Sequence, residues 1–177
     1  MRNDDQIFEP TGMAVQPDPN RKAVWISEGN DPKNPLIGGS RAHRCLTDRY
    51  RLWAEMSGKV QPDNLDDNIH VTRGTVLEPV VLRLLALTTG RHVEAATPWT
   101  RVFHPDRPWL CCTPDGWEFD EDRNHRIGAG SPTPYRGVVQ AKTSLSFMKP
   151  EWEDEYSDLR QKYWTQIQHE MLATGCA

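Results

Sequence analysis

Apolar residues recur at helical spacing in three stretches of the chain. Ser40 can cap a helix on which Leu46, Tyr50, Trp53 and Met56 share a face before Gly58 ends the run. A second helix is predicted from about His70 to Thr89, with Val76, Val80, Leu84 and Leu87 aligned and Gly90 after its end. A closing helix occupies about 151–174, striped by Tyr163, Ile167 and Met171. Three runs of strand character, roughly 92–103, 109–119 and 135–144, lie between the second and last helices, bounded by Pro and Gly. This order predicts an α/β (α+β) fold with a mixed central sheet flanked by helices. The stretch DEDRNHRIGAGSPTP, Asp120 to Pro134, reads as an insertion between two strands. Residues 1–20 read as an irregular arm, which leaves 21–177 as one domain.

A chain of 177 residues with a net charge of −4 suits a single core. Its aliphatic content is thin, so seven Trp and four Tyr must supply much of the buried area. No run of apolar residues is long enough to cross a membrane, and the polar start MRNDDQIFEP lacks the core of a secretory leader, so a cytoplasmic protein without membrane contact is expected. The four Cys form no CxxC, and neighbours such as Cys111 and Cys112 point to opposite faces of a strand, as expected of reduced core thiols. Charge is uneven along the chain. Arg41, Arg44, Arg49, Arg51 and Lys59 form a basic block that is either a surface for a phosphate backbone or a solvated helix face.

The chemistry concentrates in two short segments. Thr-Pro-Asp115-Gly sits in an apolar strand, and 25 residues later GVVQAKT presents Gln140 and Lys142 two apart, on one strand face. Oxygen donors of this kind can hold a divalent cation, while an ammonium beside them orients or deprotonates an attacking water. Glu78 in RGTVLEP could add a carboxylate from the preceding helix. Spacing alone equally allows Asp115 to be a turn residue and Glu78 a surface acid. The histidines have no ligand-like spacing, so no zinc site is expected.

The segments IGGS, RGTVLEP, TPDG, VVQAKT and TQIQHEMLATG, in this order, resemble the YqaJ-like viral recombinase family, the lambda exonuclease relatives within the PD-(D/E)xK nuclease superfamily. The resemblance implies a restriction-endonuclease-like core and Mg²⁺- or Mn²⁺-dependent digestion of double-stranded DNA from a free end in phage recombination. It also implies a single-strand annealing protein as partner and a homo-oligomer; relatives can form rings that enclose DNA, but no residue here marks a ring interface. By the same resemblance Asp115 is the first metal carboxylate, Glu78 the helix-borne acid and Lys142 the catalytic lysine. Ala141 joins the metal set, and Gln166 helps hold the water or phosphate. Ser40, with Arg41 and Arg44, falls in the small-residue turn and helix start where phosphate is bound.

Gln140 departs from the family pattern, which has Glu there. Loss of one anion implies weaker magnesium binding and slow or absent cutting, which Gln140→Glu should relieve, unless a displaced acid such as Glu118 compensates. The alternative is a disabled nuclease fold that binds DNA or protein. Glu170 stands where many relatives have Tyr, a change expected to be tolerated. The family usually continues into a further strand past the position of Ala177.

Overall fold

The computed structural model describes residues 19–65, 67–119, 135–144 and 149–176. Most of the expected N-terminal arm and the 120–134 insertion lie outside these residues. A first helix, α1 (Pro19–Gly29), leads to three short ones: α2 (Gly39–Ala42), α3 (Arg44–Thr47) and α4 (Arg49–Met56). The sequence reading placed one helix here. Asp48, with φ −145° and ψ 48°, breaks it and resets the helical phase. Leu46, Tyr50 and Trp53 therefore face outward, at 70%, 78% and 51% exposure, while Leu52 and Ala54 turn inward. Glu55 is also buried, because Arg44 forks onto it at 2.8 and 2.9 Å and Arg51 Nε donates at 3.0 Å. Ser40 does not cap: it lies exposed within α2, and Gly38 holds the N-cap position with no side-chain hydrogen bond.

The long helix α5 (Ile69–Thr89) starts where Asn68 accepts a hydrogen bond from the His70 amide, and stops at Gly90, whose φ of 68° suits glycine. The expected stripe is on its outer side, with Val76, Val80, Leu84 and Leu87 all more than half exposed. Gly74, Glu78 and Leu82, four apart, form the inner row, and Leu82 is buried.

Strand β4 (Gly116–Phe119) lies between β1 (His92–Ala95) and β5 (Tyr135–Val139) in an antiparallel sheet. A separate hairpin joins β2 (Val102–His104) to β3 (Arg107–Cys112). Parallel pairing enters at the Ile37–Leu110 bridge. The α/β class is as expected, with shorter strands. A Cβ at Gly116 would approach the Glu94 carbonyl oxygen to 2.9 Å and the Leu82 Cδ atoms to 3.1 and 3.2 Å. Glycine at this position is what lets the Glu78-bearing helix settle against the sheet.

The predicted closing helix is also split, into α6 (Lys149–Glu153) and α7 (Asp158–Thr174). Ser157 starts α7 by accepting from the Arg160 amide, and Gly175 ends it at φ 70°. This helix packs on α2, β2 and β3. Its buried row is Gln166, Glu170, Ala173 and Thr174, while Tyr163, Ile167 and Met171 are half-buried beside it. Ala173 joins Leu110 and Cys112 in the core, with Val102 packed against them. The four cysteines are free, and three of them, Cys111, Cys112 and Cys176, are buried. Among the described residues no helix is long and apolar enough to cross a membrane.

Candidate active site

The pairing of β4 with β5 brings the two chemical segments together. Gly116 pairs with Val139, so Asp115 and the Gln140–Ala141–Lys142 segment leave the sheet side by side. The strand predicted to reach residue 144 ends at Val139, but Gln140 and Lys142, past its end, still meet at the site. The Ala141 amide donates to Asp115 Oδ2 at 2.7 Å, which fixes the carboxyl group. Lys142 Nζ lies 3.5 Å from the same oxygen and donates to Gln140 Oε1 at 2.6 Å.

From the other side, α7 contributes Gln166. Its Nε2 donates to Gln140 Oε1 at 3.1 Å and to Glu170 Oε1 at 2.8 Å. The Gln140 oxygen thus accepts from two partners, and both its lone pairs are engaged. A cation could share that oxygen only by displacing Lys142 or Gln166.

Three acids face this cluster, and burial works against the charge on each. Burial pushes Glu78 up to about 7, the charge of Asp115 adds to the rise, and Lys142 opposes it. Burial also raises Asp115, against the opposing effects of Lys142 and the Ala141 amide. Glu170 is raised to about 7 by burial, offset in part by the Gln166 hydrogen bond and the charge of Lys142. Such a set would be relieved by a divalent cation. Among the described residues, however, no three His, Cys, Asp or Glu side chains stand close enough to cage one alone. The arrangement suits an ion that keeps part of its water shell and takes one or two carboxylates, which is how Mg²⁺ commonly binds.

Lys142 lines a cavity of about 590 Å³ together with apolar side chains such as Val81, Leu85 and Trp152 and the polar Gln140, Arg160 and Gln166. Trp152 stacks on Tyr163 at a centroid distance of 5.1 Å, and Lys142 Nζ sits 5.7 Å from the Tyr163 ring centroid.

Asp115, Gln140, Ala141, Lys142 and Gln166 form one hydrogen-bonded group, and Glu78 reaches it through its charge. The basic residues expected at a phosphate do not join. Arg41 donates to the carbonyls of Gly29 and Leu36 at 2.9 and 3.1 Å and to Asn30 Oδ1 at 3.2 Å, binding the end of α1 to α2. Arg44 is held by Glu55, and Arg51 is shared between Glu55 and Asp63. Glu118, the displaced acid of the sequence reading, turns to Arg91 at 3.3 Å. Glu170 was overlooked as a site residue. The available signal was its position four residues after Gln166, on the same helix face.

The model of the YqaJ-like viral recombinase domain matches residues 28–177. No curated protein matches the chain. Among solved structures, an alkaline exonuclease (LHK-Exo) from Laribacter hongkongensis superposes with a TM-score of 0.58 at 18% identity, covering 88% of this chain and 69% of that one. LHK-Exo in complex with dAMP superposes with a TM-score of 0.55 at 21% identity, covering 80% of this chain and 65% of that one. At these identities the likeness establishes the fold.

Proposed function

Because the chain belongs to the YqaJ-like viral recombinase family, we propose that it is a metal-dependent deoxyribonuclease of the phage recombination type, acting on double-stranded DNA from a free end. The observation that carries this reading is the single polar group made by Asp115, Gln140, Lys142 and Gln166 beside an open cavity, with the Glu78 charge turned toward it.

Glu78 and Asp115 would hold Mg²⁺ or Mn²⁺, and the ion when bound supplies Lewis acidity toward phosphate and a more acidic water. The rest of the work falls to the chain. The Ala141 amide keeps Asp115 in one rotamer, so its free oxygen has a fixed direction. Lys142, held by Gln140 and Asp115, places an ammonium where it can orient a nucleophilic water and offset charge growing on phosphate. Gln166 fixes the Gln140 amide and restricts the position of Lys142 in turn. The adjacent cavity offers aromatic and aliphatic surface to a nucleotide leaving its stack.

Incubation with linear and with circular duplex DNA, with Mg²⁺ or with a chelator, tests the reading. Shortening of linear DNA that needs the metal and is lost in Lys142→Ala is expected. Metal-independent cutting, or cutting unchanged by Lys142→Ala, refutes it. A second reading, a fold that binds DNA without cutting, is favoured by the engaged Gln140 oxygen. It predicts retention of linear DNA with no product even at saturating Mn²⁺.

A further inference from the structure

We propose that positions 140 and 170 form an exclusive pair, in which the single buried acid is Glu170 and a second acid at 140 is not accommodated. Three observations meet at this point. First, Glu170 is 0% exposed, and its Oε2 accepts no hydrogen bond among the described residues. A buried carboxyl group with an idle oxygen is costly, and a leucine or methionine of similar size would avoid that cost. Second, one nitrogen joins the two positions: Gln166 Nε2 donates both to Gln140 Oε1 and to Glu170 Oε1, so these oxygens share one NH₂ group. Third, the fold makes room for this acid. A Cβ on Gly39 would collide with Glu170 Oε1 and would lie 3.0 Å from its Cγ. The glycine of the Ile-Gly-Gly-Ser turn thus leaves space for the Glu170 carboxyl group.

The consequence is specific. A glutamate at 140 would set two carboxylates on one amide in a buried place, with Lys142 as the ammonium bonded there. Like charges so placed disfavour each other strongly. Gln140→Glu alone therefore does not rebuild a working site; it must be combined with neutralisation of Glu170. Glu170 acts as a positioning residue. It holds Gln166, which holds the Gln140 oxygen against Lys142, and its charge adds to those of Glu78 and Asp115. The part of this inference that concerns cations rests on the metal-dependent reading above; the pairing itself does not.

A four-protein cycle tests it: the chain as it stands, Gln140→Glu, Glu170→Gln and the double variant, all full-length. Thermal unfolding without metal at about pH 8.5 reads the pairing, since its cost falls on the folded chain whether it is met as repulsion between two charges or as uptake of a proton by one acid. Gln140→Glu should lower Tm by at least about 5 °C when Glu170 is present, and by less than about 2 °C in the Glu170→Gln background. Failure of the single variant to fold, with recovery in the double, supports the pairing equally. Equal shifts in both backgrounds overturn it. Titration calorimetry with Mn²⁺ alone reads the service of the charge to the site. Glu170→Gln should weaken Mn²⁺ binding by about tenfold or more, and the double variant should return it to within about threefold of the starting affinity. Unchanged affinity in Glu170→Gln shows that the acid does not serve the cation, and overturns that half. Mn²⁺ binding that survives Asp115→Asn would instead refute the metal-site reading, and leaves the metal-free cycle to decide the pairing.

Discussion

Replacing Glu170 by Gln should flatten the dependence of stability on pH in the metal-free chain. Burial lifts this carboxyl from 4.5 to about 7. The folded chain therefore binds a proton that the unfolded chain has released, and stability falls as pH rises across that interval. The contribution is fully present below about pH 4.5 and is lost as pH passes through about 7. A difference of about 2.5 units, at 1.36 kcal/mol each, corresponds to about 3 kcal/mol. In a domain of this size that is a Tm difference on the order of 6–12 °C. Glu78 titrates with the same sign, whereas Glu55, held low by its hydrogen bond from Arg44, runs the other way. Subtracting the curve of Glu170→Gln from that of the parent cancels both. Urea unfolding in chelator at several values between about pH 4.5 and about pH 8.5 measures the difference. Parallel curves would show that Glu170 does not titrate in this interval and that its burial does not disfavour the charge.

Other perturbations separate structural from chemical roles. Lys142→Ala should reduce any cleavage by at least ~100-fold, about 2.7 kcal/mol of barrier, while Tm moves by less than about 3 °C, because the ammonium serves the site and not the core; comparable losses in activity and stability would contradict this. Arg44→Ala should destabilise by about 3 kcal/mol in urea unfolding, since it strips a forked partner from the buried Glu55, whereas Arg51→Ala, at a half-exposed side chain, should cost under about 1 kcal/mol. Gly39→Ala should lower Tm in the parent but much less in a Glu170→Ala background, and equal shifts would show that the collision is relieved in another way. Arg49, exposed on α4, should lower duplex affinity on change to Ala and reduce the salt slope by about 1; an unchanged slope would remove this face from DNA contact.

What could be read from the chain was what local chemistry decides. Asp115, Gln140 and Lys142 were legible because the pairing of Gly116 with Val139 brings the residues just past both strands together, although Gln140 and Lys142 lie beyond the strand on which a two-residue period was expected. The existence of α5 was legible from its asparagine cap and terminal glycine, but its orientation was not. Val71, Val76, Leu77, Val80, Val81, Leu82, Leu84, Leu85 and Leu87 surround it with apolar surface, so periodicity could not choose a side. Gly116, distant in sequence, makes that choice by admitting Leu82. Arg41 and Arg44 looked available for phosphate because their acceptors are backbone carbonyls of another segment and an acid eleven residues on, neither of which forms a motif. Glu170 was read as a tolerated replacement of a family residue. Its significance lies in a space at Gly39, which no spacing rule describes.

The line from Lys142 through Gln140 and Gln166 to Glu170 also behaves as an electrical insulator. Its ends are an ammonium and a carboxyl group, but its middle is two primary amides, one accepting twice and the other donating twice. Neutral amides neither take up nor release a proton in the ordinary range of pH. No proton can hop along this path, however well its hydrogen bonds align. Lys142 and Glu170 sense one another through the field and through the orientation of dipoles, and each must exchange its proton with solvent by its own route. A nuclease with glutamate at the first amide would have a conducting element at that point; this chain has a switchless wire that carries polarity without carrying current.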